Sequence, residues 1–135
     1  MPVKREIPFT EGVFFITFTC HKWLNLIHDS DGYPFVYSWY KHLQKNGHYV
    51  TGYVIMPNHV HSLIAFRNNG NSINFEIGEA KRFIGYNLIN TFKKQQRNDT
   101  LDLLASGVKR KDKERGKLHE IWEDSFDGNI ATVKN

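Results

Sequence analysis

The chain has 135 residues, 40% of them hydrophobic and 24% charged, with 18 Lys and Arg against 14 Asp and Glu and a formal charge of +4. That length fits one domain, residues 1–135, with a core large enough to need no staples. A single cysteine, Cys20, excludes an internal disulfide and a thiolate zinc cluster, and no uninterrupted apolar run approaches the roughly 20 residues of a membrane helix. The opening MPVKREIPFTEG lacks the apolar core of a signal peptide, so a cytoplasmic protein with no membrane association is expected. The basic excess is compatible with a polyanionic partner without identifying one.

The first strong pattern is Val13-Phe14-Phe15-Ile16-Thr17-Phe18-Thr19-Cys20. It is β-branched and aromatic and reads as a buried strand. Tyr33-Pro34 then opens a helix whose Phe35, Val36, Trp39, Tyr40 and Leu43 fall at spacings of three and four residues on one face, with Pro34 in the first turn and Asn46-Gly47 at the end. Residues 49–56 and 59–66 read as two extended segments joined at Pro57-Asn58, or as one long strand kinked there, because Pro57 cannot donate to a ladder. Asn68-Asn69-Gly70-Asn71 is a loop, and Ser72 caps a helix running to about Gln96.

The apolar face of that second helix is Ile73, Ile77, Ala80, Ile84 and Leu88. Projection at about 100° per residue puts Glu79, Arg82, Tyr86, Asn90 and Lys93 on the opposite side. Gly78 and Gly85 weaken the helix, each by roughly 1 kcal/mol relative to Ala, and Gly85 would let a neighbour approach closely. Residues 109–115 read as a charged loop, 117–122 as a half-buried strand, and the tail from Asp127 onward is weakly patterned. The order strand, helix, strand or strands, helix, strand fits an α+β two-layer sandwich, an antiparallel sheet with helices on one face.

Of seven histidines, at 21, 28, 42, 48, 59, 61 and 119, only His59 and His61 stand out. Strand residues i and i+2 share a face. Two imidazoles on one rigid strand make a half-site for a divalent cation, although an isolated H-x-H is also met as an ordinary surface pair. Context decides between these. The segment Tyr53-Val54-Ile55-Met56-Pro57-Asn58-His59-Val60-His61-Ser62-Leu63-Ile64 closely resembles the His-hydrophobic-His segment of the single-tyrosine HUH transposases, and within them the REP-associated branch, where M-P-N-H-x-H recurs. The "TFTCHKW" stretch, the helix containing Lys81-Arg82-Phe83-Ile84-Gly85-Tyr86-Asn87-Leu88-Ile89-Asn90, and Gly116-Lys117-Leu118-His119-Glu120 with Ser125-Phe126-Asp127 extend the resemblance over roughly residues 8 to 127.

The resemblance implies a ferredoxin-like HUH fold, with His59 and His61 as the metal pair and Tyr86 as the nucleophile. Asn90, one turn on and about 40° around the helix, corresponds to a third ligand. The cofactor implied is Mg²⁺ or Mn²⁺, and the partner is single-stranded or hairpin DNA, with a homodimer allowed. Family members usually continue well past the Ser-Phe-Asp segment, so the chain is expected to be shortened at its C-terminus relative to them.

Enzymes of this kind cut a phosphodiester with a tyrosine, form a 5′-phosphotyrosine and free a 3′-OH, and later rejoin a second end. A free tyrosine has a pKa near 10, so about a thousandth is ionised at neutral pH. A cation on the imidazoles would neutralise and orient the phosphate, and the covalent link conserves the bond energy. Lys81, Arg82, Lys93 and Lys94 are candidate phosphate contacts, with a plain solvated helix face as the alternative. His119 reads as structural. The competing reading of the whole chain is a decayed relative that binds single-stranded or hairpin nucleic acid without cutting it.

Overall fold

The computed structural model describes residues 9–124 and the backbone of residues 127–130. Strand β1 (Gly12–Thr19) is followed by a 3₁₀ turn (His21–Trp23), a one-turn helix α1 (Leu26–Asp29) and helix α2 (Tyr33–Lys45). Strands β2 (Tyr49–Ile55) and β3 (His59–Phe66) come next. After them come helices α3 (Ile73–Lys94), α4 (Asn98–Ser106) and α5 (Arg110–Glu114), and then strand β4 (Asp127–Ile130). The strands form one antiparallel sheet in the order β2-β3-β1-β4. Residues 49–66 are thus a hairpin of two strands, broken where Pro57 withholds its donor.

Alternation along the two central strands sorts the sheet into two faces. Phe14, Ile16 and Phe18 of β1 and Val60, Ser62, Ile64 and Phe66 of β3 are buried. They meet Val36, Trp39, Tyr40 and Leu43 of α2 and Ile73, Ile77, Ala80, Ile84, Leu88 and Phe92 of α3 in one core cluster. Trp122 closes this core, its ring 4.9 Å from that of Phe18. Ser62 is the polar member of the buried face, and its hydroxyl pairs with the Tyr40 hydroxyl at 2.6 Å. The two-layer α+β arrangement expected from the sequence is therefore present.

Helix boundaries follow local chemistry. Pro34 occupies the first turn of α2, where its missing N–H costs nothing. The Ser72 hydroxyl caps α3 by accepting from the Phe75 N–H at 3.0 Å. Gly85 marks a close approach: a Cβ there would meet Ile121 Cγ1 at 3.4 Å and Trp122 Nε1 at 3.5 Å. The Trp122 indole uses that space to donate to the Lys81 carbonyl at 2.8 Å.

Four local expectations change. Residues 117–121 form no strand. Their backbone bonds go instead to the Leu104 carbonyl and to the turn after β1, and only Trp122 bridges to Cys20. The charged stretch near 110 contains the short helix α5, and α3 stops at Lys94 before a separate helix, α4. The weakly patterned tail contributes strand β4 at the sheet edge, where contact with β1 supplies order that propensity does not. Ser125 and Phe126 lie outside the described residues.

Candidate functional site

His59 and His61 alternate with buried Val60 and Ser62, so both imidazoles stand on the face of the sheet away from α2 and α3. Their ring centroids are 4.6 Å apart and the ring planes are nearly perpendicular. In the ladder Thr19 lies opposite His59, and Thr17 lies opposite His61. His61 is further paired with Val54 on β2. The imidazoles are reachable from solvent: His61 is exposed and His59 is half-buried.

Each ring is held from behind by a neighbouring oxygen. The Asn58 side chain donates its amide to the Trp23 carbonyl at 3.3 Å, so its Oδ1 is left to accept from His59 Nδ1 at 2.6 Å. Thr17 Oγ1 lies 2.8 Å from His61 Nδ1. The Asn58 oxygen can only accept, so Nδ1 of His59 donates and its Nε2 carries a lone pair, and no described residue is hydrogen-bonded to Nε2 of either ring. Oxygen partners on the second nitrogen are the usual support of metal-binding histidines. Partial burial, and secondarily the neighbouring His61, hold the His59 imidazole below its ordinary pKa. This favours the neutral form that ligation requires.

The residues present fit a cation half-site. Two neutral imidazole nitrogens would leave the remaining positions to water and to a substrate oxygen, as Mg²⁺ prefers, while imidazole itself suits Mn²⁺ better. Among the described residues no group of three or more His, Cys, Asp or Glu side chains comes together to hold a metal.

The α3 candidates lie elsewhere. Tyr86 is 66% exposed, opposite the buried Ile84 and Leu88 stripe. Asn90, also exposed, follows it one turn later on the same side. α3 packs its apolar stripe on the covered face of the sheet, and among the described residues no hydrogen bond or ring contact joins Tyr86 or Asn90 to the imidazole pair. The fold thus brings His59 and His61 together and does not bring Tyr86 or Asn90 to them. Arg82 pairs with Glu79 at 2.6 Å, and Lys81 Nζ donates to the Glu123 carbonyl at 3.1 Å. Lys93 and Lys94 are exposed in the last turn. His119 lies beside α3, where burial and then the Lys93 ammonium hold its imidazole below the ordinary range.

Three residues of the site escaped the sequence reading: Asn58, Thr17 and Trp23. Asn58 was within the quoted motif, so its position beside His59 was a usable signal. Thr17 and Trp23 reach the site only through sheet register and the turn after β1.

No protein-family model and no curated protein matches the chain. Among the solved structures that resemble it are two with a TM-score of 0.61 each. One is a REP-associated tyrosine transposase bound to a REP hairpin, 14% identical, with 99% of this chain and 64% of that chain covered. The present chain therefore spans under two thirds of that relative's length. The other, a candidate transposase from Deinococcus radiodurans R1, is 12% identical, with 98% of this chain and 87% of that chain covered. What this likeness shows is the fold: the chain is built on the tyrosine-transposase architecture that its Met56–His61 segment resembles in sequence.

Proposed function

We propose that the chain is a DNA strand-processing enzyme of the transposase kind, acting on hairpin-bearing single-stranded DNA. The observation that supports this is the imidazole pair. It stands on an uncovered sheet face, with Nδ1 of each ring tied to an oxygen partner and both Nε2 atoms left for ligation. When bound there, Mg²⁺ or Mn²⁺ would supply charge neutralisation and polarisation at a phosphate.

The chain's own residues do the rest. Thr17 and Asn58 fix ring orientation, and the open face admits a strand lying across it. Tyr86 is the proposed nucleophile. Its oxygen attacks phosphorus, the bond from phosphorus to O3′ breaks, the phenol proton is released, and the leaving oxygen is protonated to the 3′-OH. Because no contact joins Tyr86 to the imidazoles of its own chain, the reaction is proposed to pair the tyrosine of one copy with the histidines of another. This makes a homodimer the working unit. Asn90, beside Tyr86, would then approach the cation together with it. Lys93 and Lys94 would contact phosphates on the helix side.

One observation favours a second reading. A solvent-facing Tyr86 without contact to the imidazoles is also what a nucleic-acid-binding module without covalent chemistry would carry. Labelled hairpin DNA incubated with the chain and Mn²⁺, then denatured, separates the two. The enzyme reading expects a covalent band that Tyr86→Phe abolishes, that His59→Ala abolishes, and that reappears when the two variants are mixed. A band unchanged in Tyr86→Phe removes that residue from its role. The absence of any band with wild-type protein leaves the binding module.

A further inference from the structure

Of three tryptophans, Trp39 and Trp122 are buried, while Trp23 is 63% exposed. Nothing in packing explains why a large indole is left in water at that place. Its backbone makes the position more unusual: Lys22 and Trp23 both have positive φ, 50° and 60°. Two consecutive non-glycine residues in the left-handed region are strained and persist only where the surroundings impose them. Here they do. The Trp23 N–H donates to the Cys20 carbonyl at 3.0 Å, and the Cys20 N–H donates to the Asn58 carbonyl at 2.8 Å. The Asn58 side-chain amide holds the Trp23 carbonyl. The same Asn58 side chain accepts from His59. One residue therefore clamps both the strained turn and the imidazole, and the indole ends 6.2 Å from the His59 ring at an interplanar angle of 65°.

That edge-on contact leaves an indole face open beside the candidate cation site. Lys22, also exposed, adds a positive charge to the same turn. We infer that Trp23 is a stacking platform for an unpaired base of the DNA strand whose phosphate lies on His59 and His61. This rests on the reading of the imidazole pair as a phosphate site and adds to it how the strand is placed. A nucleotide carries its base one sugar away from its phosphate, so a base on Trp23 and a phosphate at the imidazoles can belong to adjoining positions of one strand. Every base has a π-face, so the platform is tolerant of sequence. It demands a base free of a duplex partner, because a paired base presents no face to the protein. Trp23 is thus a positioning residue that selects single-stranded over double-stranded substrate.

The test is a titration of the full chain with oligo(dT) in metal-free buffer containing EDTA, read by tryptophan emission and by anisotropy of the labelled oligonucleotide. The expected result is quenching of the exposed indole. Trp23→Ala should weaken binding about 5- to 150-fold, the range for one lost stack, with Trp23→Phe between the two. Trp23→Gly, which suits the left-handed backbone, guards against a folding artefact and should match Trp23→Ala. An abasic oligonucleotide of equal length should bind wild type and Trp23→Ala equally and quench neither. Unchanged oligo(dT) affinity in Trp23→Ala, equal quenching by the abasic strand, or no oligo(dT) binding at all overturns the proposal. So does an emission that shifts with protein concentration alone, which would seat the indole against a second copy. The double variant with His59→Ala and His61→Ala should still be quenched. Wild-type protein that forms no Mn²⁺-dependent covalent band yet is still quenched by oligo(dT) therefore faults the enzyme reading and leaves the platform standing.

Discussion

Strand β3 is built from one continuous stretch of chain, yet its two faces have opposite chemistry. Val60 and Ile64 are fully buried under α2 and α3, and Ser62 between them is satisfied by the Tyr40 hydroxyl. On the other face His59 and His61 look outward, in a sheet surface where Val54 and Phe15 are 54% and 52% exposed. Because the side-chain period is two, neighbouring residues separate stability from chemistry. The covered face holds the frame still, and the open face gains rigidity at no cost in accessibility. This is the arrangement a ligand pair needs if its two nitrogens are to stay at a fixed separation.

The strongest way to break this division is from the covered side. Phe18→Ala removes a fully buried ring packed at 5.8 Å from Trp39 and 4.9 Å from Trp122. A loss of about 3–5 kcal/mol is expected in denaturant unfolding. Tyr40→Phe leaves the buried Ser62 hydroxyl without its partner and should cost about 1–3 kcal/mol in the same measurement. The Tyr40 phenol, pushed up to about 12 chiefly by burial, should stay protonated until about that pH in an absorbance titration of the wild-type protein, and Tyr40→Phe should remove that late step.

Open-face substitutions should invert the pattern. Thr17→Val and Asn58→Ala are each expected to lower Mn²⁺ affinity about 10- to 100-fold, read by the paramagnetic signal of free Mn²⁺. His61→Ala should abolish binding while moving stability by no more than about 0.5 kcal/mol. If Thr17→Val leaves Mn²⁺ affinity unchanged, the hydroxyl does not orient the ring.

Two smaller effects sharpen the contrast between covered and exposed groups. Burial pushes the Cys20 thiol up to about 12. Native protein at about pH 8 should therefore resist thiol reagents and react only once unfolded. At the surface, the Lys109 ammonium beside Asp124 holds that carboxyl below its ordinary range. A depressed carboxylate stabilises the fold above its unfolded pKa, and that contribution disappears as pH falls through the folded value. The Tm difference between wild type and Asp124→Asn should accordingly be small at neutral pH, begin to shrink only as pH falls below about 4, and vanish in stronger acid.

The comparison between β3 and α3 explains why the fold was more legible than the site. The period of three to four in α2 and α3 is written in single residues and named Val36, Trp39, Tyr40 and Leu43 and five of the nine buried positions of α3, whereas β1, read as a strand buried along its length, alternates and leaves Val13 and Phe15 exposed. The same arithmetic put Tyr86 on the outer side of α3, where it is found. Elements that depend on distant contacts were less visible. Residues 117–121 alternate like a strand but take their hydrogen bonds from α4 and from the turn after β1, while β4 exists because β1 offers it an edge.

By itself the sequence determined that His59 and His61 share a face, because alternation along a strand is a local property of the backbone. It also determined that Tyr86 opposes the apolar stripe of its helix, for the equally local reason of helical pitch. Which side of the sheet α3 would cover was decided only by tertiary packing, and with it the lack of contact between that tyrosine and the histidines. Thr17 behind His61, and Trp23 with Asn58 behind His59, likewise come from segments about 40 residues apart in the chain. Sheet register and a clamped turn join them, and no pattern within either segment encodes such a meeting.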